Sequence, residues 1–211
     1  HIIESLGLTQ LGTVMDERFP AVALIQNEIP RHPVRVYQGN GIGVFTAEIQ
    51  FEKEQDIAFG STVLEWFTAG GFEQLIIIDG ILKPEKEVQG EGLFAVGASE
   101  KARKRLKEMD LHTIQRGIVS GITGFLLSEG DRLNLDITAL LSEASPMYPD
   151  VRAAAVAIEA ITEMTGVDIP LSKMLESARE IEHSVQEIIQ NSTPLLPSPS
   201  DDDVENDPSF G

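Results

Sequence analysis

One stretch of the sequence, from Gly117 to Ala160, constrains the fold of this chain more than any other. It contains a glycine-rich turn, a short apolar helical pattern, a strand pattern at Asp136 to Leu141, a loop, and a second helical pattern from Asp150 to Thr165. Pro149 suits the first turn of that second helix, because its missing amide hydrogen would have no helical partner there. A buried strand between two helices is typical of a layered α/β protein.

The rest of the chain continues the alternation of strand-sized apolar runs and helical spacing. We predict a mainly parallel or mixed sheet that is flanked by helices on both faces. The turn Asn40-Gly41 favours a tight antiparallel hairpin, because both residues tolerate positive φ. The other predicted elements are a helix end at Ile2 to Gly7, a buried strand at Ala21 to Ile25, hairpin strands at Val34 to Tyr37 and Ile42 to Ile49, a helix at Glu54 to Ala69 with Ile57, Leu64 and Phe67 at helical spacing, strands at Leu75 to Ile78 and Leu93 to Gly97, a charged loop at Lys83 to Gly92, and a helix at Glu100 to Met109 capped by Ser99.

Composition limits the partners of this chain. Its 16 basic and 34 acidic residues give a formal net charge of −18, which repels nucleic acid and anionic lipid surfaces. The absence of cysteine excludes disulfides and thiolate metal sites and is compatible with a reducing compartment. No apolar run approaches the roughly 20 residues that a membrane-spanning helix needs. We therefore expect a cytoplasmic protein whose partners are other proteins.

The 211 residues predict one domain with appendages. We place an α/β core at residues 1–165, an amphipathic C-terminal helix at 166–191 and a disordered acidic tail at 192–211. The apolar stripe of the helix, which includes Ile181, Val185 and Ile188, either packs on its own domain or joins another subunit. Because the chain begins at His1 with the pattern of a helix end, we also expect that its natural N-terminus is missing.

Chemical motifs are sparse. The four histidines are scattered, the glycines near Asn40 precede a strand instead of opening a helix, and we predict no cofactor and no metal ion. An enzymatic alternative would use polar groups at the carboxyl ends of parallel strands, namely Glu48, Asp79, Gly97 to Ser99 and Glu143, with Glu48 or Asp79 as the acid-base group.

Two further features are candidates for contacts. Five basic residues, Lys101, Arg103, Lys104, Arg105 and Lys107, fall on one predicted helix. They form either a solvated face or a surface for an acidic partner, which includes the chain's own tail. Met147 and Tyr148 lie in a loop between strand and helix, where they either contact a partner or cover the edge of the core.

The order and spacing of several segments resemble the proteasome assembly chaperone family, in particular the archaeal and bacterial homologues of the eukaryotic proteasome assembly chaperone 2. The matching segments are Val34 to Gly41, Leu75 to Ile81, Gly117 to Gly124 with Leu126-Leu127, and Tyr148-Pro149-Asp150 with Arg152 to Ala155. The resemblance covers roughly Leu6 to Glu182.

The resemblance implies an α/β fold akin to nucleoside phosphorylases, in which a first strand and a glycine-containing turn precede the helix that ends here at Leu6. It also implies self-association, and a role in assembling proteasome α-subunits or binding the assembled particle instead of catalysis. Some members have also been labelled ATP-dependent ligases. The alternative function is therefore that of a ligase-like or phosphorylase-like enzyme. Certain members dock through a C-terminal motif of a hydrophobic residue, tyrosine and any residue. Here Ser209, Phe210 and Gly211 hold these positions, which leaves a degenerate docking motif, a tail that continues further, or a tail without this role.

Overall fold

The computed structural model describes residues 1–82, 92–144, 150–172 and 174–176, and helices and strands are mixed along these ranges. The helices are α1 (Ile2–Ser5), α2 (Asp56–Ala69), α3 (Glu100–Glu108), α4 (Gly121–Leu133) and α5 (Val151–Thr165). The strands are β1 (Thr9–Thr13), β2 (Leu24–Gln26), β3 (Ile29–Arg31), β4 (Val34–Gly39), β5 (Ile42–Ala47), β6 (Leu75–Leu82), β7 (Leu93–Gly97), β8 (His112–Thr113) and β9 (Ile137–Ala144). A 3-10 turn, Lys53–Gln55, precedes α2.

The larger sheet has four strands in the order β6, β9, β7, β8. β6 pairs with β9 in parallel and β7 pairs with β8 in parallel, but β7 runs antiparallel to β9. The expectation of a mixed sheet is therefore confirmed, and that of a mainly parallel sheet is wrong. The link from Leu82 to Leu93 is shorter than the dozen or more residues that a parallel crossover requires, so β7 returns in the opposite direction.

Apolar side chains cover both faces of this sheet. On one face, the fully buried Leu140 of β9 belongs to a cluster with Leu106 of α3 and Ile158 of α5. On the other face, Leu141 packs in a cluster with Leu127 of α4. Because successive side chains of a strand point to opposite faces, a strand covered on both faces is mostly apolar, and five of the eight residues of β9 are apolar.

The smaller sheet consists of β1, β4 and β5, all antiparallel, with β4 in the middle. Val34 of β4 is fully buried in a cluster with Phe59 of α2 and Leu126 of α4. The helices α2 and α4 thus lie between the two sheets. Gly60 permits their close approach, since a Cβ atom at this position would collide with the ring of Phe125.

Local signals for turns and caps were reliable. The hairpin around Asn40 and Gly41 is confirmed, with φ of 52° and 76° at these residues. Ser99 caps α3 by accepting a hydrogen bond from the amide of Ala102 at 3.1 Å. The cap of α5 is Asp150, whose carboxylate accepts from the backbone amide two residues beyond Val151 at 3.0 Å.

The buried strand predicted at Ala21 to Ile25 is wrong. Only Leu24–Gln26 is a strand, and it pairs with β3 in a two-stranded surface hairpin where Ile25 is 67% exposed. Positive φ at Asn27 and Glu28 closes the turn. Apolar composition was mistaken for burial, whereas the hairpin contacts the rest of the molecule through its polar side chains.

Several predictions fall outside the described residues. These include most of the charged loop, Pro149, the C-terminal helix beyond Glu176 and the tail. The approach to that helix is described: Leu171 and Met174 pack against the cluster that contains Leu106. Within the described ranges, no helix is both long enough and apolar enough to span a bilayer.

Candidate functional site

The polar groups predicted to gather at the strand ends do not meet. Asp79 and Glu143 lie on the neighbouring parallel strands β6 and β9. Gly97 to Ser99 lie at the opposite end of the strands, beside the start of β9, because β7 is antiparallel to β9. Glu48 follows β5 in the other sheet. The predicted grouping of all these residues is therefore wrong, because β7 runs antiparallel to β9 and β5 belongs to a separate sheet.

The carboxylates of Asp79 and Glu143 each hold a neighbouring segment in place. Asp79 accepts a hydrogen bond from the hydroxyl of Thr123 at 2.7 Å and another from the amide of Gly80 at 2.8 Å. Glu143 accepts from the amide of Gly92 at 3.2 Å. The first carboxylate attaches the beginning of α4 to β6, and the second fixes the residue before β7.

Glu48 belongs to a polar cluster on the outer face of the smaller sheet. Its carboxylate accepts a hydrogen bond from Arg35 at 2.6 Å, with the two side chains 40% and 3% exposed respectively. Gln26 of β2 bridges the pair, donating to Glu48 and accepting from Arg35 at 3.5 Å each. The Arg35 guanidinium also lies 6.0 Å from the centroid of the Tyr37 ring. This cluster attaches the hairpin of β2 and β3 to the sheet.

Asp136 is the centre of a buried charged network at the start of β9. Its side chain is 7% exposed, and Arg105 donates to its two oxygens at 2.6 and 2.9 Å. The Lys101 ammonium lies 3.1 Å away, and Arg105 also donates to the Thr138 hydroxyl at 3.2 Å. Burial raises the pKa of Asp136, but the hydrogen bonds from Arg105 and Lys101 outweigh burial and hold that pKa below its usual value. The network fixes α3 on the sheet.

The other cations of α3 form a solvent-exposed surface, which we call the basic face. The side chains of Lys101, Arg103 and Lys104 are 69%, 52% and 76% exposed, and Lys107 is also exposed. Of the five basic residues, Arg105 alone is directed into the protein. A surface depression of about 450 Å³ adjoins this face and is lined by Ser99, Glu100, Lys101, Lys104, Asn134 and Asp136.

A second exposed surface, the apolar rim, consists of Ile57 and Ile118, which are 64% and 96% exposed. Ile57 lies in the first turn of α2, and Ile118 lies in the loop before α4. The first turns of these helices are neighbours, since a Cβ atom at Gly121 would lie 3.9 Å from the carboxylate of Asp56. The hydrogen bond from Thr123 to β6 places this end of α4 toward the carboxyl ends of β6 and β9.

Sequence reasoning missed both the rim and the role of Asp136. Ile57 follows the apolar spacing of α2, yet it lies where no sheet covers the helix. A sequence signal for Ile118 exists, because it lies in a short segment between Gly117 and the glycine at the start of α4. Such a segment is typical of a turn at the surface. Asp136 directly precedes a strand that is buried along most of its length, a position that favours a paired carboxylate.

The residues predicted to bind partners, namely Met147, Tyr148, Ile181, Val185, Ile188, Phe210 and Gly211, all lie outside the described residues. Their roles stay predictions. The described strand β9, which precedes the first two in the sequence, ends at Ala144 beside the last residue of β6. Among the residues with described positions, no group of three His, Cys, Asp or Glu side chains could hold a metal ion.

Known proteins share this fold. The structure matches that of Pyrococcus furiosus PbaA, an archaeal homolog of proteasome-assembly chaperone, with a TM-score of 0.82 and 24% identity over 89% of this chain and 79% of that one. It also matches P. furiosus PbaB, an archaeal proteasome activator, with a TM-score of 0.75 and 20% identity over 90% of this chain and 85% of that one. At these identities, the likeness shows the fold.

Sequence comparison extends the match to almost the whole chain. A protein of Methanocaldococcus jannaschii is 21% identical over 196 residues, which cover 93% of this chain and 80% of the relative. The model of the PAC2 family matches residues 1–189, and the resemblance inferred from the segments around Val34, Leu75 and Gly117 is thereby confirmed. The chain belongs to the PAC2 family.

Proposed function

We propose that this protein is a non-enzymatic cytoplasmic chaperone or adaptor for proteasome assembly that binds proteasome α-subunits. Family membership supports the proposal, as does the likeness to a homolog of a proteasome-assembly chaperone and to a proteasome activator. The observation that carries it is the apolar rim, because a protein-binding role requires an accessible apolar surface.

The rim has properties suited to a contact surface. Ile118 is 96% exposed, although it belongs to a loop whose next residue, Val119, packs into the core. A large aliphatic side chain in this position contributes little to the stability of the isolated chain, and we propose that a partner covers it. We propose that Met147 and Tyr148 extend the same surface, because they follow the strand that ends there.

The C-terminal part has a separate role in the proposal. Ile181, Val185 and Ile188 form the stripe through which copies of the chain self-associate, while Phe210 and Gly211 contact an α-subunit through a degenerate version of the docking motif. Two contacts of moderate strength on one molecule reinforce each other, because the second binding event becomes intramolecular once the first has occurred.

The test is capture of recombinant α-subunits from the same organism by the full chain. The double variant Ile57→Asp/Ile118→Asp introduces charges at the rim and should reduce retention of the α-subunits at least about tenfold, since a desolvated charge is costly at an interface. The variant Phe210→Ala should cause a smaller loss, because it alters one contact of two.

The matched control is Ile25→Asp/Ile29→Asp, which places the same charges on the surface hairpin, where both isoleucines are exposed. It should retain the α-subunits like the parent protein. The proposal is wrong if the parent chain captures no α-subunit, and the rim is excluded as the contact surface if both double variants lose binding equally.

A further inference from the structure

The basic face of α3 is at odds with the charge of the chain as a whole. The nine residues of α3 hold five of the 16 lysines and arginines, although the formal net charge is −18. Arg105 and Asp136 neutralise each other inside the protein. The exposed cations Lys101, Arg103, Lys104 and Lys107 therefore produce a positive surface on an otherwise acidic molecule.

Neighbouring carboxylates compensate this surface only in part. Lys104 lies 3.7 Å from Glu108, and Arg103 lies 3.9 Å from Asp131, in pairs where every side chain is more than half exposed. Lys107 forms no ion pair with any residue that the structure describes. Pairs of this kind are weak and exchange readily with other carboxylates. At Lys104 and Lys107 the face can thus accept an acidic segment without breaking a buried contact, whereas Lys101 lies 3.1 Å from the buried Asp136 and Arg103 donates to the carbonyl oxygen of Ala98 at 2.6 Å.

The chain itself contains such a segment. Residues 201–207, which we call the acidic segment, read Asp-Asp-Asp-Val-Glu-Asn-Asp and include five carboxylates and no basic residue. A run of this kind has no apolar spacing that would direct it into a core. The basic face matches this segment, because it is opposite in charge and its four cations occupy two turns of one helix.

The described part of the chain ends on the side of the sheet that carries α3, within reach of the basic face. Leu171 and Met174 pack in the cluster that contains Leu106, so the described chain leaves the domain on the side of the sheet that α3 covers. The 24 residues 177–200 span about 27 Å on average if flexible. If residues 177–190 are helical, they extend about 21 Å, and the ten residues that follow reach back up to about 34 Å.

We propose that the acidic segment 201–207 docks on the basic face of α3 in the same molecule. A tether of this length gives the segment an effective concentration on the order of millimolar at the face, so weak individual ion pairs suffice to populate the docked state. If the proposed contact of Phe210 and Gly211 with α-subunits holds, docking also withdraws these residues from it, a consequence that rests on the proposed function.

The chain offers a direct measurement, because it contains no cysteine. A nitroxide spin label on Ser209→Cys in the full chain should broaden the backbone amide signals of the buried Ala102 and Leu106, and leave those of α2 unchanged. Raising the ionic strength from about 0.15 M to 1 M shortens the Debye length from about 8 Å to 3 Å and should remove the broadening.

Variants of the basic face and of the acidic segment test whether these two parts form the contact. Lys104→Gln/Lys107→Gln should lower the ratio of docked to undocked tail about three- to fivefold, as expected for the loss of two exposed ion pairs. Asp201→Asn/Asp202→Asn/Asp203→Asn should do the same from the tail. The matched control is Lys53→Gln/Arg116→Gln, which removes two exposed cations on other elements and should leave the ratio unchanged.

Three results would overturn the proposal. They are an absence of broadening at α3 in the parent protein, equal effects of Lys104→Gln/Lys107→Gln and its control, and broadening that arises only between spin-labelled and isotope-labelled copies in a mixture, which would assign the contact to a second molecule. None of these readouts uses α-subunits, so the docking can be refuted while the proposed function stands, and the reverse also holds.

Discussion

The two sheets of this protein are stabilised in different ways. The four-stranded sheet has apolar helices on both faces, and its central strand β9 is buried along most of its length. The three-stranded sheet has one apolar face, on α2 and α4, and one polar face on which Arg35, Glu48 and Gln26 hold a surface hairpin. Burial of apolar side chains is therefore the main source of stability in the four-stranded sheet. In the three-stranded sheet, one face is instead occupied by ion-paired side chains that are partly in contact with solvent.

The largest expected effect tests the apolar side of this comparison. Leu140→Ala removes a fully buried side chain from the middle of the larger sheet and should lower the free energy of unfolding by about 4 kcal/mol. Val34→Ala, at an equally buried position of the smaller sheet, should cost about 2 kcal/mol because less volume is removed. Denaturant unfolding followed by circular dichroism measures both, and a cost below about 1 kcal/mol at Leu140 would contradict the described core.

The next effect compares the two ion pairs. Asp136→Asn removes the charge from a carboxylate that is 7% exposed and bonded to Arg105 through both oxygens, and it should cost about 3 kcal/mol. Glu48→Gln alters a carboxylate that is 40% exposed, where water screens the pair, and it should cost about 1 kcal/mol. The same unfolding measurement applies, and equal costs would remove the distinction between the two networks.

The pH dependence sharpens the same contrast. Because the pKa of Asp136 is lower in the folded protein than the roughly 3.9 of an unfolded chain, its charge stabilises the fold above that pH. This contribution is lost as the pH falls through the folded value. The difference in unfolding free energy between the parent and Asp136→Asn should thus be constant above about pH 5 and shrink below about pH 4.

The difference in unfolding free energy between the parent protein and Asp136→Asn does not contain the contributions of the other acidic groups. Hydrogen bonds from Arg18 lower the pKa of Asp16 to about 2, and bonds from Arg132 lower the pKa of Glu129, but both groups titrate alike in the parent and the variant. A difference that grows toward low pH would mean that Asp136 is not stabilised in its charged form.

The smallest expected effect lies at the apolar rim. Ile118→Ser should change the free energy of unfolding by less than about 0.5 kcal/mol, because a side chain that is 96% exposed gains little from folding. Leu126→Ser, at a buried position of the adjoining helix α4, is the contrasting variant and should unfold at a markedly lower denaturant concentration. A large loss at Ile118 would show that the rim is part of the core.

The sequence predicted the larger sheet better than the smaller one, for a physical reason. Strands that are buried on both faces are mostly apolar, so Leu75 to Ile78, Leu93 to Gly97 and Asp136 to Leu141 were recognisable. β1, with the sequence Thr-Gln-Leu-Gly-Thr, was missed, because pairing with β4 creates this strand and its own side chains are mostly polar or exposed.

The candidate site could be predicted only in part. The basic helix was recognisable from composition, but the inward direction of Arg105 depends on Asp136, which is 31 residues away in the sequence. The grouping of Asp79 with Glu48 required a parallel arrangement that the antiparallel β7 and the separate smaller sheet exclude. The direction of a strand in a sheet depends on its pairing with residues far away in the sequence, so local sequence patterns do not predict it.

Trp66, the one tryptophan of the chain, gives the two-sheet arrangement a spectroscopic consequence. It lies on α2 at the smaller sheet, 5.4 Å from Phe45 and 4.6 Å from Phe72 between ring centroids, and the space above Gly43 is filled by its indole. Its fluorescence therefore reports on the contact between α2 and that sheet, whereas circular dichroism averages over the whole molecule. Coincident transitions by the two probes would show that the sheets unfold as one cooperative unit.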